Sequence, residues 1–136
     1  MDEQSPNETR DSRTLLGPDD GPAFEVVNRD GVAELLLVCD HASNAVPKSL
    51  NRLGLADDAF EDHIAYDIGA GGVARRMSEA LDAQLVLAGY SRLNIDLNRP
   101  LGHPVSIIEE SDGTAIPGNI GLTEADRYDR ICSLFE

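Results

Sequence analysis

Glu34-Leu35-Leu36-Leu37-Val38-Cys39-Asp40-His41-Ala42-Ser43-Asn44-Ala45-Val46-Pro47 is the stretch on which the reading of this chain turns. Its first half is an unbroken apolar run, Leu35 to Cys39. Such a run marks a strand buried on both faces, as in a parallel sheet covered by helices. Its second half turns polar at once, with Asp40, His41, Ser43 and Asn44. Open α/β sheets bind ligands beyond the carboxyl ends of their strands, so chemistry is sought first at Asp40-His41. Ser43 or Asn44 can instead be an N-cap that ends the strand in a turn.

Outward from this stretch the order is strand, helix, strand. Val73, Met77 and Leu81 recur at i, i+4 and i+8, which predicts a helix over 73–81 that packs this stripe inward. Gln84 to Ala88 reads as a second buried strand, closing a right-handed βαβ unit. Upstream, Phe24 to Asn28 is a short alternating strand followed by a turn to Gly31. Residues 1–22 are polar and acidic with no hydrophobic period and read as a disordered tail, leaving 23–136 as the folded domain.

Between the first strand and the helix, Pro47 to Leu53 predicts a helical turn stopped by Gly54, and Ala56 to Tyr66 a short amphipathic helix that buries Phe60 and Ile64. Gly69, Gly71 and Gly72 do not form a phosphate loop, because no Lys-Ser/Thr follows and the spacing is wrong. They fit a close approach of helix to sheet. Leu93, Ile95 and Leu97 alternate with Arg92, Asn94, Asp96 and Asn98, which is strand period, and Pro100 ends it. Residues 102–121 form a long irregular loop, of a length that tends to carry function. Thr123 to Asp126 opens a last helix with a capping box, and Tyr128, Ile131, Cys132 and Phe135 supply its apolar stripe. That helix runs to the end of the chain with no stop residue, so the chain reads as cut short.

The 136 residues fit one domain, and 25 acidic against 11 basic residues give a net charge of -14. Such a charge disfavours nucleic acid and anionic membranes as partners and leaves a small-molecule substrate. No apolar stretch approaches the ~20 residues of a membrane span. The N-terminus lacks the apolar core of a signal peptide. Two cysteines, Cys39 and Cys132, make no disulfide framework and fit a reducing cytoplasm. Cys39, inside an apolar strand, reads as packing rather than as a nucleophile.

The groups that can carry chemistry are His41, Asp67, Arg92, Asn98 and Arg99. Imidazole and carboxylate suit a divalent metal such as zinc, so His41 and Asp67 are candidate ligands. A catalytic zinc uses three protein ligands and an open position for water, so two do not complete a site. Asp67 can equally cap the following helix. Arg99 can grip a substrate carboxylate with a two-pronged hydrogen bond, with Asn98 orienting the same group, or can pair with Asp96 on a solvated face. Asp40 is a candidate to orient the His41 ring. His63 reads as solvent-facing, and His103 sits in the long loop.

Cys39-Asp40-His41-Ala42-Ser43-Asn44-Ala45-Val46-Pro47, His63-Ile64-Ala65-Tyr66-Asp67-Ile68-Gly69-Ala70 and Ser91 to Pro100 together resemble the N-formylglutamate amidohydrolase family. Ser111 to Thr114 and Ile116 to Asn119 fit as well. The resemblance implies a three-layer αβα fold with a mostly parallel sheet, like that of the zinc-dependent exopeptidases (phosphorylase/hydrolase-like). It implies hydrolysis of a C–N amide bond, as in the conversion of N-formylglutamate and water to formate and glutamate in histidine breakdown. It implies His41 and Asp67 as metal ligands, zinc as the metal, and Arg92, Asn98 and Arg99 as the substrate-carboxylate grip. Family members are longer and carry a further histidine motif in their second half, so this chain reads as the N-terminal part of such a domain. Its His-Ala-Ser-Asn differs from the His-Ala-Gly of the named deformylases, which leaves the acyl group open. The alternatives are a non-catalytic carboxylate-binding domain and a thiol hydrolase using Cys39.

Overall fold

The computed structural model of the protein describes residues 14–136. Three strands, β1 (Phe24–Val27), β2 (Leu36–Cys39) and β3 (Gln84–Ala88), form a sheet in the order β1-β3-β2. β2 pairs with β3 in parallel, Leu37 opposite Leu85 and Cys39 opposite Leu87. β1 pairs with β3 antiparallel, Glu25 opposite Leu87. The fold is therefore α/β with a mixed sheet, rather than a mostly parallel one. The expected βαβ order holds, with α1 (Ala70–Leu81) between the two parallel strands.

The apolar run at β2 is not buried on both faces among the described residues. β2 is an edge strand, and Leu36 and Val38 stand exposed. Leu37 and Cys39 lie on the opposite face with Leu85 and Leu87, since cross-strand partners share a face. That face is the one α1 covers, for Gly71 lies against Leu87 and Ala42. The helix turns a different side to the sheet from the one its periodicity predicts. Gly71, Ala74 and Ser78 point inward, whereas Val73, Met77 and Leu81 are exposed. Small residues let the helix approach closely, and Ser78 is satisfied by donating its hydroxyl to the Ala83 carbonyl at 2.6 Å. Gly69 supplies the left-handed N-cap with φ 86°, a conformation that costs glycine little.

Much of the remaining chain is turns rather than regular elements. Pro47 does precede a helical turn, but Lys48–Gly54 is 3-10 in kind, and Asn51, Arg52 and Leu53 have positive φ. The expected helix from Ala56 shrinks to a 3-10 turn, Asp57–Glu61, although Phe60 and Ile64 are buried as their spacing predicts. Arg92 to Asn98 is not a strand. Leu93, Asn94 and Ile95 are all buried, which breaks the alternation. Ser91 and Asn94 explain why: their side chains bond nearby backbone groups, Leu93 N–H to Ser91 Oγ at 3.1 Å and Asn94 Nδ2 to the Ser91 carbonyl at 2.9 Å. The long loop contains a small hairpin, β4 (Glu110–Ser111) with β5 (Thr114–Ala115), closed by Asp112-Gly113 with both φ positive. That dipeptide is a strong hairpin signal.

The last helix, α2 (Glu124–Arg130), opens with the expected capping box between Thr123 and Asp126. It passes into a π-helical turn, Ile131–Phe135. The extra residue in that turn shifts the register, and Leu134 is the buried contact; Tyr128, upstream of it in α2, is exposed.

Two apolar clusters build the core. One holds Leu53, Phe60, Ile64, Ala65, Leu93 and Ile116. The other holds Tyr90, Ile95, Ile107 and Leu134. Leu93 enters the first and Ile95 the second. Full burial of each contributes roughly 1.5–3 kcal/mol, so the turn between them is pinned on both sides. Of the expected tail, residues 1–13 lie outside the described residues. The remainder is held: Leu15 N–H donates to Ser133 Oγ, Ser49 Oγ donates to the Leu15 carbonyl, and Tyr90 donates to the Gly21 carbonyl at 2.6 Å. The expected boundary at residue 22 thus falls inside an anchored loop.

Candidate functional site

His41 stands in the turn that follows β2, and its side chain is only 11% exposed. Its Nε2 meets Asp96 Oδ1 at 2.7 Å. Its Nδ1 lies 3.3 Å from Arg92 Nη1 and 3.4 Å from Asp67 Oδ2. Arg92 can only donate, so Nδ1 accepts and the ring proton sits on Nε2, given to Asp96. The imidazole is held by a carboxylate on one side and offers its lone pair on the other, as metal-ligating histidines do.

The surrounding backbone fixes this arrangement. Asp67 N–H donates to the His41 carbonyl at 3.0 Å. Asp67 does not cap α1, whose N-cap is Gly69 and carries no side-chain cap bond. Its carboxylate, half exposed, instead accepts from Arg92 Nη1 at 3.1 Å. Arg92 also donates to the carbonyls of Ile64 and His63. Ser91 bonds the Ala65 carbonyl through its hydroxyl and the Ala45 carbonyl through its N–H. Arg92 and Asp96 therefore sit on a loop stitched to both segments that carry His41 and Asp67.

Three of the expected site residues come together: His41, Asp67 and Arg92. Arg92 is placed less as a substrate grip than as an organiser, since its donors already reach four acceptors. Arg99 does not touch His41 or Asp67. It lines a cleft of about 120 Å³ with Arg92, Asp96 and Ser111. Arg99 is exposed, and its guanidinium donates to the Asn98 carbonyl at 2.9 Å. Asn98 is exposed, and its N–H donates to Asp96 Oδ1 at 2.9 Å.

Asp96 was the residue the sequence pattern concealed. One reading of the sequence pairs it with Arg99 on a solvated face, yet its carboxylate is 13% exposed and bonds His41. It takes the orienting role expected of Asp40. The signal that finds it is the run Ser91, Asn94, Asp96, three side chains that favour turns over strands. His63 is exposed, between Asp62 and Asp112. His103 lies in a separate cleft with Glu124 and Arg127. Burial and the carboxylates of Asp40 and Asp67 push the Cys39 thiol above its ordinary value, against a nucleophilic role.

The donors fit a divalent metal in part. His41 Nδ1 and Asp67 Oδ2 are close enough to share one ion, but the Arg92 guanidinium faces both. Among the described residues, no group of three or more His, Cys, Asp or Glu side chains is arranged to hold a metal.

The model of the N-formylglutamate amidohydrolase family matches residues 33–136. No curated protein matches the chain. A solved structure, gene product Atu2144 from Agrobacterium tumefaciens, is similar with 40% identity and a TM-score of 0.86. The match covers 89% of this chain and 48% of that one, so the chain spans about half the length of this solved relative.

Proposed function

The chain belongs to the N-formylglutamate amidohydrolase family, and from that premise we propose that His41 and Asp67 mark the reaction centre of a metal-assisted amide hydrolase. Its substrate is an N-formyl or N-acyl amino acid, cleaved with water to a carboxylate and the free amino acid. Support comes from one observation above others: His41, Asp67, Arg92 and Asp96 converge at the carboxyl end of β2. A ligand at such a point is the rule in open α/β sheets.

His41 Nδ1 and the Asp67 carboxylate would hold a divalent ion, zinc by ligand chemistry, with further ligands from the part of the family fold that this chain does not span. Bound there, the ion supplies polarisation of the amide carbonyl and a water of lowered pKa. Asp96 keeps the ring proton on Nε2 and so keeps Nδ1 available. Arg92 neutralises Asp67 and braces the loop. Arg99 takes the substrate carboxylate in a two-pronged hydrogen bond within the adjoining cleft, with Asn98 beside it. Cys39 and Cys132 are both free, in keeping with a reducing cytoplasm. No helix among the described residues is long and apolar enough to cross a membrane.

The experiment is formate release from N-formyl-L-glutamate, and carboxylate release from other N-acyl amino acids, by a chain that spans the whole family fold, with and without chelator. Hydrolysis that chelator and His41→Ala both abolish is expected. Hydrolysis that survives both overturns the reading. One feature favours a second reading, a carboxylate-binding domain without catalysis: Arg92 faces the ligand side of His41. Glutamate binding without turnover, lost in Arg99→Ala, would decide for it.

A further inference from the structure

Ser106 is 5% exposed, and its hydroxyl bonds nothing among the described residues. Asn94 Oδ1 is the one fully buried side-chain polar atom without a partner among those residues, so the Ser106 oxygen opens to a cavity. That cavity is a cleft of about 290 Å³ between the loop after Pro100 and α2. Its size lies at the lower end of small-molecule sites, which run from roughly 300 to 1,000 Å³. Ile95, Ile107 and Ile131 give it an apolar floor, and Leu101 and Pro104 an apolar rim. Glu124 and Arg127 stand beside them, one turn apart on α2. Side chains at this spacing can pair, yet these two make no ion pair with each other or with any other described residue. His103 also lines the cleft. Its Nδ1 accepts from Val105 N–H at 3.3 Å, so in the neutral ring Nε2 carries the proton. A nearly buried hydroxyl without a partner is satisfied by whatever fills the cleft.

We propose that this cleft is a binding site for a free α-amino acid with an aliphatic side chain. The ligand's carboxylate goes to the Arg127 guanidinium, which takes such groups in a two-pronged hydrogen bond. Its ammonium goes to the Glu124 carboxylate. Its side chain covers Ile95, Ile107 and Ile131. The Ser106 hydroxyl and His103 Nε2 donate to the remaining lone pairs of the ligand's carboxylate. A simple anion or a simple cation leaves one of the two charges unmatched, and a neutral apolar molecule leaves both. A zwitterion matches both. The cleft shares no side chain with the group around His41 and Asp67, so the inference does not depend on what that group catalyses. The backbone joins the two places: Asp96 N–H donates to the Ser106 carbonyl at 2.7 Å.

The test is titration of the 136-residue chain with L-leucine, followed by amide NMR. Saturable shifts at Leu101 to Ile107 and Glu124 to Ile131 are expected, with a Kd of about 1 mM or less. N-acetyl-L-leucine lacks the ammonium and L-leucinamide the carboxylate. Each binds at least roughly tenfold more weakly, since a hydrogen bond between charged groups is lost. L-Aspartate keeps both charged heads without an aliphatic group and also binds more weakly. These comparisons use the unaltered chain, so they stand even where a variant fails to fold. Arg127→Gln and Glu124→Gln change side chains that bond nothing else among the described residues, and each lowers the affinity for L-leucine by about the same factor. A Kd beyond this range, equal binding of the two capped forms, unaltered affinity in both variants, or shifts centred on His41 and Arg99 instead would each overturn the proposal.

Discussion

Asp96 Oδ1 accepts the Nε2 proton of His41 at 2.7 Å across 55 residues of sequence. This contact joins the turn after β2 to the loop after β3 and sets which nitrogen of His41 faces outward. Asp96→Ala removes the acceptor and frees the ring to flip. Zinc affinity at His41 then falls roughly 10- to 100-fold. Competition with a chromogenic chelator measures it. Asp40→Ala, at the position sequence reasoning favoured for this role, leaves the affinity unchanged.

Arg130 is 1% exposed and ties the loop to α2. It donates to the Asn94 carbonyl at 2.7 Å, to Asn119 Oδ1 at 2.6 Å and to the Gly118 carbonyl at 3.0 Å. Asn119 in turn donates to the carbonyls of Leu93 and Ile108. Burial lowers the guanidinium to about 10, and the field of Asp126 partly opposes this. Arg130→Met strands buried acceptors and costs about 3 kcal/mol in urea unfolding. Asn119→Ala costs about 2 kcal/mol, and the double variant costs less than the sum because the two share one network.

Asp20 anchors the first described loop. Its carboxylate accepts from Gly17 N–H at 2.8 Å and from Lys48 N–H at 3.1 Å. These bonds favour the charged form and hold its pKa below the ordinary carboxylate value. A folded pKa below the unfolded one means stability that is present above the unfolded value. That stability is lost as pH falls through the folded one. Thermal unfolding of the wild type and Asp20→Asn, compared from about pH 6 to about pH 3, shows a gap that narrows on acidification. A constant gap would contradict the assignment.

The sequence made the βαβ order legible because strand and helix there are continuous and strongly patterned. β2, α1 and β3 all appear where Leu35 to Ala88 places them. What it misjudged shares one physical cause, the identity of the neighbour. Val73, Met77 and Leu81 have helical spacing, but periodicity does not say which partner a stripe meets, and here Gly71, Ala74 and Ser78 take the sheet. Leu36 and Val38 are apolar, yet β2 lies at an edge of the sheet and leaves them exposed. Leu93 and Ile95 mimic a strand because two different clusters claim them from a turn. Asp96 was hidden by that same mistake. His41 was singled out by the change from apolar to polar sequence and Asp67 by its place at a helix start and the family resemblance, and their proximity rests on a backbone bond that no pattern records.

The most direct test of the account is nitrogen-detected NMR of the imidazole rings during titration with zinc. The account predicts that His41 Nδ1 moves while its Nε2 keeps the proton shared with Asp96, and that Asp67→Ala removes the response. Zinc that shifts His63 or His103 while His41 stays still, or that binds His41 equally well without Asp67, would contradict it.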